Sequence, residues 1–296
     1  MQVSFIVSLF NQLPLTQACY RSLRQTLPAG LAHEVILIDD ASTDGTREWL
    51  QTLRLPAATA TRVLLNECNV GYAASNNRAA REARGDIFFL LNSDLELLPG
   101  WFEPMLRAFR HLSGIGLVGN LQYRVADHRL DHRGVQFDPL SQPLHDRRRF
   151  TWASLKSYTP YRAVTAACCA IRRTTFQQAG GFDEAYRNGY EDIDLCLRLG
   201  AQGFRHYVAN HSAVLHHVSA SPGRFTHESD NLRLFRGRWR PPPPSSRFIG
   251  LRYLARYWIR PWRYNGPKLL LALARIATNR PCDFLIVRWK IQGATM

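Results

Sequence analysis

Four short runs of apolar and β-branched residues, Val3–Leu9, Glu34–Ile38, Thr61–Leu65 and Ile87–Leu91, punctuate the first 95 residues. Between them lie three helical patterns: Thr16–Leu27, a stretch from Ser42 or Asp44 through Leu55, and the Ala-rich Tyr72–Arg84. Strands that alternate with helices of this length pair in parallel through right-handed crossovers. Ile87–Leu91 is unbroken and apolar, as expected of a strand buried on both faces. Ser42 and Asp44 are good N-cap residues for the second helix. The pattern predicts a doubly wound α/β half with a mostly parallel sheet.

The pattern changes beyond this half. Pro99 leads into a helix over Trp101–Leu112, and Gly116–Leu121 reads as a strand. Gln122–Phe150 is polar, basic and irregular, longer than an ordinary connection, and is read as a loop. Val164–Ile171 returns to strand character, Tyr190–Leu199 to helix, and Ala213–Leu215 is a short strand ending at His216-His217. Pro241–Pro244 is a stiff linker. It divides the chain into a domain over residues 1–240 and a tail over residues 241–296.

With 296 residues, 46% of them hydrophobic, the chain can fill a sizeable core, which excludes disorder. No apolar run reaches the roughly 18 residues that a helix needs to span a bilayer. Val3–Leu9 begins almost at Met1, with no basic flank or small-residue cleavage site, so a cytoplasmic chain is expected. The six cysteines form no C-x-x-C pair, and Cys168-Cys169 sit inside an apolar run, so free reduced thiols are expected.

Charge is spread unevenly. Of the net +15, the segment from Pro241 onward carries nine, with ten basic residues against Asp283 alone. Arg252, Arg256, Arg260 and Arg263 fall on one helical stripe, interleaved with Ile249, Leu251, Leu254 and Trp258. A basic amphipathic tail of this kind suits a peripheral anionic membrane surface. Its alternative is a helix packed on the preceding domain with a solvated basic face.

Ligands of an open parallel sheet bind beyond the carboxyl ends of its strands. Those ends carry Phe10 and Asn11, then Asp39 and Asp40, then Asn66, Asn69 and Gly71, then Asn92, Ser93 and Asp94. No Gly-x-Gly-x-x-Gly follows the first strand and no Gly-Lys-Ser/Thr loop is present, which excludes the dinucleotide and P-loop cradles. An acidic rim repels a bare nucleotide diphosphate and accepts it through a bridging divalent metal.

Six motifs occur in order: Ile38–Thr46 (IDDASTDGT), Asn69–Asn77 (NVGYAASNN), Leu91–Asp94 (LNSD), Gly180–Glu184 (GGFDE), Gly189–Arg198 (GYEDIDLCLR) and Val214–His217 (VLHH). Together they resemble family 2 glycosyltransferases of the GT-A fold, close to the rhamnosyltransferase-like branch, over about residues 1–240. The resemblance implies a nucleotide-diphospho-sugar transferase fold with a basic helical tail appended. It also implies transfer of a hexosyl group, rhamnosyl first, with inversion, from a UDP- or dTDP-sugar to a growing cell-surface glycan or its lipid-linked form. Such an enzyme would work at the cytoplasmic face of the inner membrane.

Roles follow position by position from the resemblance. Asp40, supported by Asp39, matches the acids that contact base and ribose; their alternative is to complement the dipole of the following helix. Asn69, Gly71 and Asn77 match the segment along the donor, and Asn11, Asn92 and Ser93 at the strand ends are counted with them as donor-binding. Gly71 has a backbone requirement as its alternative, and Asn77 a helix hydrogen bond. Asn92-Ser93-Asp94 occupies the Asp-x-Asp position. There Asp94 matches the ligand of Mg²⁺ or Mn²⁺, while Asn92 departs from the acid and offers a weaker, neutral oxygen. Asp192 matches the base that deprotonates the acceptor hydroxyl, with Glu191 second. His216 matches a metal-binding imidazole, with His217 as its alternative. Asp194 and Arg198, at i and i+4, read as a helix-surface ion pair.

Two other classes compete. A nucleotidyltransferase on a similar sheet would need a glycine-rich basic phosphate loop, and would leave Glu191-Asp192 unexplained. A nucleic-acid-binding protein would place basic and aromatic residues at the strand ends, where this chain has acids. No nucleic-acid partner is therefore expected.

Overall fold

The computed structural model describes residues 2–53, 61–137, 143–147, 156–218 and 226–239. The expected boundary at Pro241 and the basic tail, including the Arg252–Arg263 stripe, lie outside the described residues.

The predicted half forms as β1 (Val3–Leu9), α1 (Leu13–Thr26), β2 (His33–Asp39), α2 (Thr46–Thr52), β3 (Thr61–Leu65), α3 (Gly71–Glu82) and β4 (Ile87–Asn92). These strands lie side by side in the order β4-β1-β2-β3, all parallel. Ser8 pairs with Asn92, Leu9 with Asp39, and Asp39 with Leu65, so the carboxyl ends finish at one rim. α1 starts three residues before its expected start, with Pro14 in its first turn, where the missing N–H costs nothing. Neither Ser42 nor Asp44 is the N-cap of α2. Gly45 takes that place at φ 91°, because Ser42 Oγ accepts from Asn11 N–H and Asp44 from Leu13 N–H. Ser42 thus holds the loop that follows β1, while Asp44 serves both: its Oδ2 takes Leu13 N–H and its Oδ1 accepts from Thr46 N–H at 3.2 Å and Thr46 Oγ1 at 2.6 Å, at the start of α2.

The second half is β5 (Leu95–Leu97), α4 (Phe102–His111), β6 (Ile115–Arg124), β7 (Leu130–His132), β8 (Val135–Phe137), β9 (Pro143–His145), β10 (Tyr158–Tyr161), β11 (Cys168–Arg172), α5 (Arg173–Gln178), α6 (Glu191–Ala201), β12 (Arg205–His216) and α7 (Glu228–Arg238). The described sheet continues from β4 through β11, β6 and β12 to β10, with β5 on β12 and β7 on β6. β11 runs antiparallel between β4 and β6, so the sheet is mixed on this side. Gln122–Phe150 is not simply irregular, since it carries the end of β6 and all of β7, β8 and β9. β12 is far longer than the predicted Ala213–Leu215. Its register against β6 shifts between Ala209 and Ala213, where Asn210-His211-Ser212 interrupts the apolar pattern. Polar partners absorb the bulge: Asn210 Nδ2 donates to Lys156 O and Thr159 Oγ1, and Ser212 Oγ to Trp101 O.

Among the described residues, those within 2–134 and 145–231 form one compact unit, and those within 135–144 and 232–239 belong to another. In the larger unit, α1 and α4 pack on one sheet face. Phe5, Phe89, Trp101 and Phe102 form the centre of that layer, with Phe89–Phe102 ring centroids 5.0 Å apart and Phe89–Trp101 5.6 Å. Each such side chain contributes about 1.5–3 kcal/mol by leaving water. The Trp101 indole N–H reaches Thr26 Oγ1 at 3.0 Å, so the buried ring keeps no unpaired donor. Cys19, Cys68, Cys168, Cys169 and Cys196 are free thiols, as expected; Cys282 lies outside the described residues.

Candidate functional site

The acid pair at the end of β2 is held from within. Asp40 Oδ1 accepts from Asn66 Nδ2 at 2.8 Å and Val70 N–H at 3.0 Å, and Oδ2 accepts from Gly71 N–H at 2.9 Å. A carboxylate there satisfies orphan donors and complements the dipole at the start of α3. It therefore serves α3, rather than α2, the helix that follows it in sequence. A carboxylate has about four acceptor positions, so Asp40 keeps one, on Oδ2. Gly71, at φ 88°, needs the freedom of glycine to present its N–H in this way. Asp39 is fully buried, paired with Arg47 Nε at 3.0 Å and accepting from Ser42 N–H. Arg47 also donates to Asn66 O, which ties the loops after β2 and β3 together.

Asn11 and Asn69 stand on the same rim. The Asn11 side chain accepts from Thr43 N–H at 2.8 Å, and exposed Asn69 donates to Asp40 O at 3.3 Å. Asn77 points elsewhere. Its Nδ2 donates to Phe182 O and Glu184 Oε1, and its Oδ1 accepts from Phe182 N–H, all at 2.9 Å. Those bonds pin α3 to the Gly180–Glu184 turn. A Cβ on Gly181 would stand 2.5 Å from Asn77 Oδ1, and φ 74° there already demands glycine.

Asn92 ends β4, and Ser93 and Asp94 form the turn into β5. The register of β5 on β12 pairs Leu95 with His216 and Leu97 with Val214. That register brings His216 Nε2 to 3.1 Å from Asp94 Oδ1. The close approach is not a hydrogen bond, because the alignment fails: Asp94 Oδ1 and both His216 ring nitrogens are buried without a partner. His217 is occupied differently, with Nε2 at 2.8 Å from Glu96 Oε1. A buried polar atom left unpaired costs about 1–3 kcal/mol. A divalent cation would satisfy the carboxylate oxygen and the imidazole together, so the donor set fits Mg²⁺ or Mn²⁺. Among the described residues no group of three or more His, Cys, Asp or Glu converges. Such an ion would therefore complete its shell with ligand oxygens and water.

The third part of the rim is the start of α6. Asp192 Oδ2 accepts from Ala166 N–H at 3.0 Å and Oδ1 from Ile193 N–H at 2.8 Å. Ala167 O in turn accepts from Asn92 N–H at 2.8 Å, so one dipeptide links Asp192 to the end of β4. Glu191 is buried and folds back on the turn, accepting from Gly189 N–H at 2.6 Å; Asp192 is the more open of the pair. Tyr72 joins this corner by donating from its hydroxyl to Ala166 O at 2.9 Å. Burial, then neighbouring Cys169, Glu191 and Asp192, push its phenol well above the usual tyrosine range. Asp194 is paired with Arg198 at 2.7 Å, but the pair is not on the helix surface: their side chains are 0% and 22% exposed. Arg198 also donates to Ala179 O and Gly181 O, so the ion pair fastens α6 to the Gly180–Gly181 turn.

Sequence reasoning passed over a polar cluster near His216. Buried Asp131 binds Arg147 at 2.9 Å, and the His132 ring stands edge-on to His145 with centroids 4.5 Å apart. Nearby His145, its Nδ1 3.7 Å from Asp131 Oδ2, and after it the charges of Arg147, His145 and His216, outweigh burial and hold the Asp131 carboxyl below its usual range. Burial, then His145, pushes His132 well below the usual histidine range. The signal was present as two similar stretches, Leu130–Arg133 (LDHR) and Leu144–Arg147 (LHDR), inside the segment read as a loop.

The family model described as "Glycosyl transferase family 2" matches residues 4–179. Over 256 residues the chain is 31% identical to the uncharacterized protein y4gI of Sinorhizobium fredii, covering 80% of this chain and 27% of that one. It is 31% identical over 167 residues to the O-antigen biosynthesis protein RfbC of Myxococcus xanthus, covering 51% and 12%. The chain thus spans about a quarter and an eighth of these two relatives. It is also 30% identical over 214 residues to an N-acetylglucosaminyl-diphospho-decaprenol L-rhamnosyltransferase of Mycobacterium tuberculosis, covering 64% and 68%. Among solved structures, GalNAc-T7 with UDP, GalNAc and Mn²⁺ matches at TM-score 0.65 and 16% identity, covering 79% of this chain and 47% of that one. The mannosyltransferase PcManGT from Pyrobaculum calidifontis, with GDP-Man and Mn²⁺, matches at 0.58 and 19%, covering 99% and 79%. At these identities the likeness shows a shared fold.

Proposed function

Because this chain belongs to glycosyl transferase family 2 and has the GT-A fold, we propose that it moves a hexosyl group from a nucleoside diphosphate sugar to a hydroxyl of a growing cell-surface glycan. The observation that carries this reading is a division among acids at one rim. Asp94 stands with His216 as an unsatisfied ligand pair, while Asp192 is fixed by two backbone N–H groups and remains open. One carboxylate suits a cation and the other a proton.

Asp94 and His216 would hold Mg²⁺ or Mn²⁺, which when bound neutralises diphosphate charge and stabilises the leaving nucleoside diphosphate. Asp192 takes the proton from the acceptor hydroxyl as that oxygen bonds to the anomeric carbon. The bond from that carbon to the phosphate oxygen breaks with its electron pair, and the nucleoside diphosphate departs. One base acting opposite one leaving group gives inversion. Asp40, Asn11 and Asn69 line the side of the rim suited to base and ribose. Glu191 fixes the turn before Asp192.

The rhamnosyltransferase and O-antigen relatives favour a rhamnosyl donor and a lipid-linked glycan acceptor; the nucleotide carrying the sugar is proposed to be UDP or dTDP. No helix of the described residues is long and apolar enough to cross a membrane. Nine of fifteen net positive charges fall beyond Pro241, which supports reversible attachment to an anionic lipid surface, the cytoplasmic face of the inner membrane. The test is a panel of UDP- and dTDP-sugars incubated with the full chain, with and without Mn²⁺. Turnover that needs both sugar nucleotide and metal is expected; no turnover of any member, or full turnover after chelation, would sink the reading.

A further inference from the structure

The segment leading into α6 has an unusual backbone. Asn188, Gly189 and Tyr190 have φ of 52°, 155° and 75° in succession. Two of these are not glycine; Asn tolerates the left-handed region, but Tyr190 with its bulky side chain is strained there. Such a turn persists only where its surroundings hold it. Two fasteners are local to the rim: Asn188 Oδ1 accepts from Tyr72 N–H at 3.2 Å, and Glu191 accepts from Gly189 N–H. The third comes from much later in the chain. Asn231, in the first turns of α7 and 4% exposed, accepts from Arg187 N–H at 3.1 Å and donates from Nδ2 to Arg187 O at 2.7 Å. One buried amide thus saturates both backbone groups of the residue that enters the strained turn, as a neighbouring strand would.

We propose that Asn231 is a positioning residue for glycosyl transfer, clamping Arg187 so that the turn delivers Asp192 to the rim. The proposal rests on Asp192 being the base. Asn231 bonds to none of the rim residues; its effect runs through the turn alone. Loss of the clamp should therefore alter turnover while leaving donor binding unchanged, since Asp94, His216 and Asp40 belong to other elements.

The experiment uses the full chain with Asn231→Ala, the isosteric Asn231→Asp, and Asp192→Asn. Asn231→Asp keeps the acceptor and turns an oxygen toward Arg187 O, so it breaks the clamp with little change of shape. Both Asn231 variants should bind UDP or dTDP with Mn²⁺ within twofold of the parent. Their kcat on the donor found by the sugar panel should fall at least tenfold, with donor KM within twofold. Amide exchange over residues 188–193 should quicken at least tenfold, with β4 unchanged. A folded Asn231 variant with kcat within twofold of the parent, beside an inactive Asp192→Asn, overturns the positioning inference alone. Full transfer by Asp192→Asn overturns the base assignment and the inference with it. In the unmodified chain the Arg187 amide should be protected, and rapid exchange there would overturn the clamp without any variant.

Discussion

Asp94 Oδ1 and His216 Nε2 approach to 3.1 Å without forming a hydrogen bond, and neither atom has another partner. The pairing of β5 on β12 brings them together, since Leu95, next to Asp94, and His216 are ladder partners. A backbone that places a buried carboxylate oxygen and an imidazole nitrogen side by side, both without a hydrogen-bond partner, offers a ready pair of ligand atoms.

Asp94→Ala should abolish Mn²⁺-dependent binding of UDP or dTDP, and His216→Ala should weaken it at least tenfold. Calorimetric titration with and without Mn²⁺ measures both. Because each change removes an unpaired buried group, the apo chain should lose little thermal stability. Metal-dependent binding that survives Asp94→Ala would refute the ligand assignment.

Asp192→Asn keeps the shape of the side chain and its acceptor oxygen for Ala166 N–H but removes the base. Transfer should fall by about 10²–10⁴, with nucleotide binding unchanged. Near-normal transfer across a full pH range would show that another group takes the proton.

Asn77 and Gly181 should be energetically coupled. Asn77→Ala strips three hydrogen bonds and leaves the Phe182 backbone groups without these partners, a loss of about 1–3 kcal/mol. Gly181→Ala drives a Cβ to 2.5 Å from Asn77 Oδ1. In the double variant that clash is gone, so urea denaturation should show a loss smaller than the sum. Strict additivity would mean that the two sites do not meet in solution.

His206 should give the fold a pH dependence of its own. Its Nδ1 accepts from Leu117 N–H at 3.0 Å and its Nε2 faces Cys196 O at 2.8 Å, which suits the neutral ring. Burial pushes its pKa down to about 4, with the Cys196 carbonyl opposing. Between the ordinary histidine value near 6.5 and that value, the unfolded chain binds a proton that the folded chain refuses. Stability from this group is therefore complete above about pH 6.5 and falls as pH drops toward 4, by about 3 kcal/mol in all. Thermal melts from pH 7.5 to 4.5 should show the slope, and His206→Gln should flatten it.

Truncation at Pro241 should leave donor turnover intact and reduce co-sedimentation with anionic vesicles. The rim residues all precede Pro241, while each Lys or Arg near such a surface contributes about 1 kcal/mol at low salt. Equal sedimentation of full-length and truncated chains would assign the tail a role other than lipid attachment.

The parallel half of the sheet could be read without a structure because its information is local. Ile87–Leu91 is apolar throughout because both its faces are covered, and the acids and amides follow the strands at the one edge where such a sheet binds ligands. The charge of the tail is equally a property of composition. Decisions that depended on which distant segment lies alongside could not be read this way. β11 shows strand character, yet nothing in Cys168–Arg172 says that it runs antiparallel between β4 and β6. His216 and His217 are adjacent and chemically identical, and only the register of β5 on β12 turns the first toward Asp94 and the second toward Glu96. Asn77 sits in a donor-like motif but faces the Gly180–Glu184 turn. Asp194 has the spacing of a surface pair and is buried, and Asn231 meets Arg187 across 44 residues. The physical reason is common to all of them: alternation and periodicity specify that a residue lies on a face, while the partner beneath that face is set by non-local hydrogen-bond register, which a one-residue shift would invert.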